Sequence, residues 1–156
     1  MERDRFDIAT VREEDLADLL PLMRGYCDFY GVAPPDAALL ALSRALLADP
    51  GCEGVQLLAR DRERGTAAVG FATVYWSWST LGASRIGVMN DLYVEPDTRG
   101  TGLADALIAA CAQRARQHGA TELDWQTALD NHRAQAVYDR SGAHRSQWLD
   151  YSLPIP

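Results

Sequence analysis

The sequence predicts one α/β (α+β) domain, with a mostly antiparallel first half and a βαβα second half. Three observations lead there. The 156 residues fit a single domain, residues 1–156, without a linker, repeat or low-complexity tract. At Gly54 the apolar spacing changes from helical to alternating, and it stays so through three successive segments. Beyond Gly102 helical and strand-like stretches take turns, each helical one closed by a glycine, Gly119 or Gly142.

Taken in order, Arg5 to Thr10 alternates and reads as a first strand. Thr10 or Asp15 is placed to cap a helix carrying Leu16, Leu19, Leu20, Met23 and Cys27, in which Pro21 predicts a start or a kink rather than a smooth interior. Gly31 and Pro34-Pro35 break this segment after Tyr26, Phe29 and Tyr30. Asp36 opens a second helix through Leu39, Leu40, Leu42, Leu46 and Leu47 that stops before Pro50-Gly51. Val55 to Arg60, Ala67 to Trp78 and Ile86 to Val94 are strands, joined by a hairpin turn at Asp61 to Gly65 and a longer loop at Ser79 to Ser84. A helix from Gly102 to His118, a strand from Thr121 to Gln126, a helix from Arg133 to Ser141 and a last strand from Trp148 to Leu153 complete the chain.

Composition narrows the function. All 15 basic residues are Arg, set against 22 acidic ones for a net charge of −7. That balance opposes an electrostatic grip on nucleic acid and leans toward a cationic small molecule or basic peptide. Replacement of every Lys by Arg, beside many Ala, reads as codon bias in a GC-rich bacterial genome. Cys27, Cys52 and Cys111 are odd in number and lack metal-type spacing, which favours free thiols in a reducing compartment and no metal site. No run approaches the ~20 apolar residues of a membrane span, and the first residues lead into no signal-type stretch. The expected location is cytoplasmic, without membrane or nucleic-acid partners.

The segment richest in chemistry is Asp91-Leu92-Tyr93-Val94-Glu95-Pro96-Asp97-Thr98-Arg99-Gly100-Thr101-Gly102-Leu103-Ala104. A strand end runs through a glycine-containing loop into an amphipathic helix, a geometry that aims unpaired backbone N–H groups and a positive dipole end at one spot. Gly100 and Gly102 permit close approach, and Arg99 adds a fixed charge. The loop is neither a P-loop, lacking the Lys-Ser/Thr ending, nor a dinucleotide fingerprint. Arg99-Gly100-Thr101-Gly102-Leu103-Ala104 resembles the R/Q-x-x-G-x-G/A loop of the GNAT superfamily of acetyl-CoA-dependent N-acetyltransferases. Asn131-His132-Arg133-Ala134-Gln135-Ala136-Val137-Tyr138, then Gly142-Ala143, is similar to that family's second motif, in the right order and separation. The resemblance covers about Val55 to Leu153. Within the superfamily, Trp125-Gln126-Thr127 with Asp130 to Gln135 is most similar to the yeast histone and D-amino-acid enzymes, and Asp91 to Val94 is similar to the polyamine acetyltransferases.

The resemblance implies a mixed, mostly antiparallel sheet of 6–7 strands with about 4 helices, splayed between strands four and five. It implies acetyl-CoA as donor, with no metal, and direct attack by a primary amine in a ternary complex. The pyrophosphate would rest on the amides from Arg99 to Ala104. The pantetheine arm would pair along Leu92, Tyr93 and Val94, with the Val94 N–H facing the oxyanion. Tyr138 would be the general acid for the departing thiolate. Asn131 would cap its helix and bond the cofactor arm, while Ala134 keeps the helix slim where the cofactor passes or simply favours helix. Polyamine-type relatives carry a Glu-Asp pair where this chain has Asn90-Asp91. Asp91 would hold a cationic amine or relay a proton through water, with Glu95 and water itself as alternative bases. Tyr26, Phe29, Tyr30, Tyr75, Trp76, Trp78 and Trp148 stand where an acceptor amine would be lined. The acceptor stays open among small molecules, amino acids, polyamines and basic peptides. The edge of the last strand offers a surface for a homodimer. A non-catalytic acyl-CoA sensor or interaction subunit on the same fold is the second reading.

Overall fold

The structure, a computed structural model, describes residues 4–156. It forms two compact units, one running to Gln126 and the other Thr127–Pro156.

The first unit is built on strand β1 (Phe6–Thr10), helices α1 (Leu16–Phe29) and α2 (Asp36–Ala48), strands β2 (Gly54–Asp61), β3 (Ala67–Ser79) and β4 (Ser84–Val94), helix α3 (Leu103–Gln117) and strand β5 (Glu122–Asp124). Strand order follows chain order, antiparallel through β4 and parallel from β4 to β5. The hairpin between β2 and β3 turns at Gly65, which takes a left-handed φ of 64°. Capping at the start of α1 differs from expectation. The Asp15 carboxylate reaches back to the Arg12 N–H at 2.9 Å around a short 3-10 turn, Glu13–Asp15, instead of capping α1 itself. Pro21 sits inside α1 rather than at its start. Both Pro21 and Ala17, whose carbonyl loses its helical partner, are exposed, so the lost bond falls where water can replace it.

Each sheet face has its own cover. On one face Leu16, Leu19, Leu22 and Met23 of α1 and Leu39 of α2 pack with Leu58 and Phe71. On the other, Leu57, Ala72, Val74 and Met89 are buried together with Leu103, Leu107, Cys111 and Ala115 of α3; Gly87 marks this face, lying against Val74 and Ala115. The β1 end is fastened by Arg5, whose Nη2 donates to the fully buried Asp61 at 2.6 Å.

The second unit contains α4 (His132–Arg140), capped by the Asn131 side chain, which accepts from the Ala134 N–H at 3.2 Å. Two expectations fail on strands. Among the described residues the sheet has five strands, not six or seven, and residues 148–153 form none. The alternation Leu149-Asp150-Tyr151-Ser152-Leu153 suits a strand, but a strand exists only through a ladder, and the Thr127–Pro156 unit contains no strand for it to join.

Candidate active site

The site begins with an irregularity in β4. Thr73 is opposite Asp91 while Val74 is opposite Met89, so Asn90 is an inserted residue, a β-bulge. Before the bulge, the Arg85 carbonyl faces β5 and accepts from the Thr121 N–H at 2.9 Å. After it, Glu95 turns its N–H to β3, donating to the Val69 carbonyl at 2.9 Å. The inserted residue has exchanged odd for even positions, and the backbone groups of Leu92 and Val94 now point away from β3. Pairing with β5 ends at Val88–Asp124, so β4 runs on to Val94 with no strand of the first unit on that edge. Arg99 closes part of it: its Nε donates to the Val94 carbonyl at 3.1 Å. The fixed charge expected at Arg99 thus also fastens its own strand.

The loop from this edge to α3 is pinned from below. Thr98 is fully buried, its carbonyl accepts from the Thr101 hydroxyl at 2.6 Å, and its hydroxyl accepts from Arg64 at 3.1 Å. Gly100 and Gly102 have φ of 77° and 86° with open space where a Cβ would stand, so backbone conformation, not crowding, demands glycine here. Gly102 is the N-cap of α3 and offers no side chain to it. The first intrahelical bond is Ala106 N–H to the Gly102 carbonyl, which leaves the Leu103 and Ala104 amides ahead of the helical ladder. An extended amide edge leading into a positive helix end suits a ligand with an amide-bearing arm and a phosphate.

Asp91 lies half-buried on the face covered by α1. Burial pushes its carboxyl above the usual range, opposed by its polar neighbours Thr73, Tyr26 and Asn90. The Asn90 amide donates to it at 3.0 Å, while the Tyr26 hydroxyl beside it spends its proton on the Asn90 carbonyl at 3.3 Å. Burial, then the Asp91 charge, raises the Tyr26 phenol strongly and pushes Tyr75 up to about 12. The rings of Tyr26 and Tyr30 pack at a tilt with centroids 5.0 Å apart, extending the aromatic wall toward exposed Phe29. Tyr93 turns its ring to the same face, against Phe71 and Gly25. On α4 in the second unit, Ala134 and Tyr138 share one helix face four residues apart, below the Asn131 cap.

A family model described as acetyltransferase (GNAT) family matches residues 19–143. The chain belongs to this GNAT acetyltransferase family. An N-acetyltransferase of Bacillus subtilis, YhfO, of uncharacterized role, is 30% identical over 96% of this chain and 98% of its own. The D-amino-acid N-acetyltransferase HPA3 of Saccharomyces cerevisiae is 31% identical over 90% of this chain and 86% of its own. A crystal structure described as a probable acetyltransferase superposes with a TM-score of 0.83 at 32% identity, covering 96% of this chain and 98% of that one.

Sequence reasoning on this GNAT chain missed three residues. Asn90 gave no sign of being a bulge, because one inserted residue barely disturbs an alternating pattern. Thr73 and Gln56 looked like ordinary strand residues; only register brings them beside Asp91. Among the described residues no helix is long and apolar enough to cross a membrane.

Proposed function

We propose that the chain transfers an acetyl group from acetyl-CoA, its cosubstrate, to a primary amine by direct attack in a ternary complex. The observation that carries this reading is the junction at Val94: a strand edge past the end of β5, displaced into place by the Asn90 bulge, leading into an uncapped, glycine-entered helix. When bound, acetyl-CoA supplies the thioester carbonyl. The amides of Gly100, Thr101, Gly102, Leu103 and Ala104, with Arg99, bind pyrophosphate. Leu92, Tyr93 and Val94 carry the pantetheine arm, and the Val94 N–H donates to the oxyanion. Asn131 and Ala134 shape the helix past which the arm runs. Tyr138 protonates the departing thiolate; a phenol near pKa ~10 suffices for a thiol near ~8.5. Asp91 anchors the incoming ammonium and accepts its proton directly or through water. The polar and aromatic surround of Asp91 favours a cationic acceptor, a small-molecule amine, amino acid or basic peptide, and the likeness to a D-amino-acid N-acetyltransferase supports the amino-acid class.

A thiol-release assay with acetyl-CoA and a panel of polyamines, D- and L-amino acids and basic peptides tests the reading. Amine-dependent release is expected, with Tyr138→Phe losing roughly 100- to 10,000-fold in turnover at unchanged acetyl-CoA affinity. Tight binding without release for any amine would transfer the chain to the sensor reading, and equal turnover in the variant would remove Tyr138 from the mechanism.

A further inference from the structure

Three side chains stand in one row across the sheet. Gln56 on β2 is opposite Thr73 on β3, and Thr73 is opposite Asp91 on β4. Gln56 and Thr73 are buried, at 3% and 0% exposure, among Leu58, Phe71 and the apolar residues of α1. Two polar side chains there offer no packing advantage over Leu and Val, and each has to be satisfied internally. They satisfy each other: the Gln56 Nε2 donates to the Thr73 Oγ1 at 3.1 Å. A threonine hydroxyl has a single proton, and an ionised carboxylate can only accept. With the Gln56 amide on its lone pair, the Thr73 proton is left for Asp91, its partner across the strands, where it favours the charged carboxylate.

We infer that Gln56 and Thr73 are positioning residues that hold Asp91 in one orientation and as an anion, ready to take the ammonium and the proton of an acceptor amine. The Asn90 bulge makes this arrangement fit, because it alone brings Asp91 rather than Asn90 opposite Thr73. This inference rests on the acetyl-transfer reading for its purpose, but the row of hydrogen bonds has consequences of its own. The titratable groups about Asp91 in this unit are Tyr26 and Cys27 on α1, with Tyr30 beyond Tyr26 and Asp28 beyond Cys27, and Tyr75 on β3. Burial raises Tyr26, Cys27 and Tyr75 further from the acid range. Losing the Thr73 hydroxyl removes a donor that favours the charged carboxylate, so the Asp91 titration must move upward.

The test is a carboxyl-carbon NMR titration of the whole chain, with the Asp91 signal assigned by its loss in Asp91→Asn. Thr73→Val should raise the midpoint by about one pH unit, Gln56→Leu should raise it less, and Thr73→Ser should restore the wild-type value. The acidic limb of kcat/KM for the best amine should move in the same direction. An unshifted midpoint in Thr73→Val, or in Gln56→Leu should Thr73→Val not fold, would overturn the inference. So would a Thr73→Ser midpoint displaced as far as that of Thr73→Val. Because the midpoint is read without any acceptor, an enzyme that acetylates nothing would sink the functional reading and leave the positioning result standing.

Discussion

The two faces of the sheet are made from the same strands and have opposite character. Leu57 and Gln56 are neighbours in β2, yet Leu57 joins Ala72, Val74, Met89 and the buried side chains of α3 in an apolar layer, while Gln56 faces Thr73. Beneath α1 the core is interrupted by a polar row ending in a half-buried carboxylate and an aromatic wall. A face that only had to hold the sheet together would resemble the one under α3. The difference teaches that the α3 face carries stability, while the α1 face gives up some of it to keep a charge oriented near an opening. That charge is one the fold disfavours: burial raises the Asp91 pKa, so its contribution to stability is present at low pH and is lost as pH rises through the folded value.

The comparison breaks most visibly on the α3 face. Leu57→Ala, at a position with 0% exposure, should lose about 2–5 kcal/mol of unfolding free energy in a denaturant titration, yet turn over like the wild type at a temperature where it remains folded. A loss of turnover without a loss of stability would mean that the faces are not divided as described. A smaller effect, away from both faces, comes from Arg5→Gln. Arg5 holds the Asp61 carboxyl below its ordinary range, so the pair stabilises above that range and its contribution disappears as pH falls through the folded pKa. Melting curves should show the variant less stable than wild type at neutral pH, the gap closing in acid. A gap that persisted at low pH would show that the pair acts through packing instead.

How much of this was legible in the sequence follows from how each feature is encoded. Long periodic stretches, such as those of α2, β3 and α3, leave repeated apolar marks, and their observed spans lie close to expectation. The glycine-entered helix was equally readable, because Gly100 and Gly102 supply the left-handed conformations that the turn needs. The Leu149 to Leu153 alternation misled, since pattern gives strand propensity but not a partner. Pro21 does not start its helix, because the cost of an interior proline depends on whether water can reach the orphaned carbonyl. Of the site, Asp91 and the residues from Leu92 to Ala104 were visible as a contiguous motif. Thr73 and Gln56 were not, since they are distant in sequence and acquire meaning through strand register. The engagement of Arg99 with the Val94 carbonyl was hidden for a similar reason: charge is visible in a sequence, and its partner is not.

The division between the faces is tested most directly by measuring Asp91→Asn for two quantities at neutral pH, amine-dependent thiol release and melting temperature. The account predicts that thiol release falls at least ~100-fold, while the melting temperature stays the same or rises because a buried charge has been removed. Retained thiol release, or a fall in melting temperature matching that of Leu57→Ala, would contradict it.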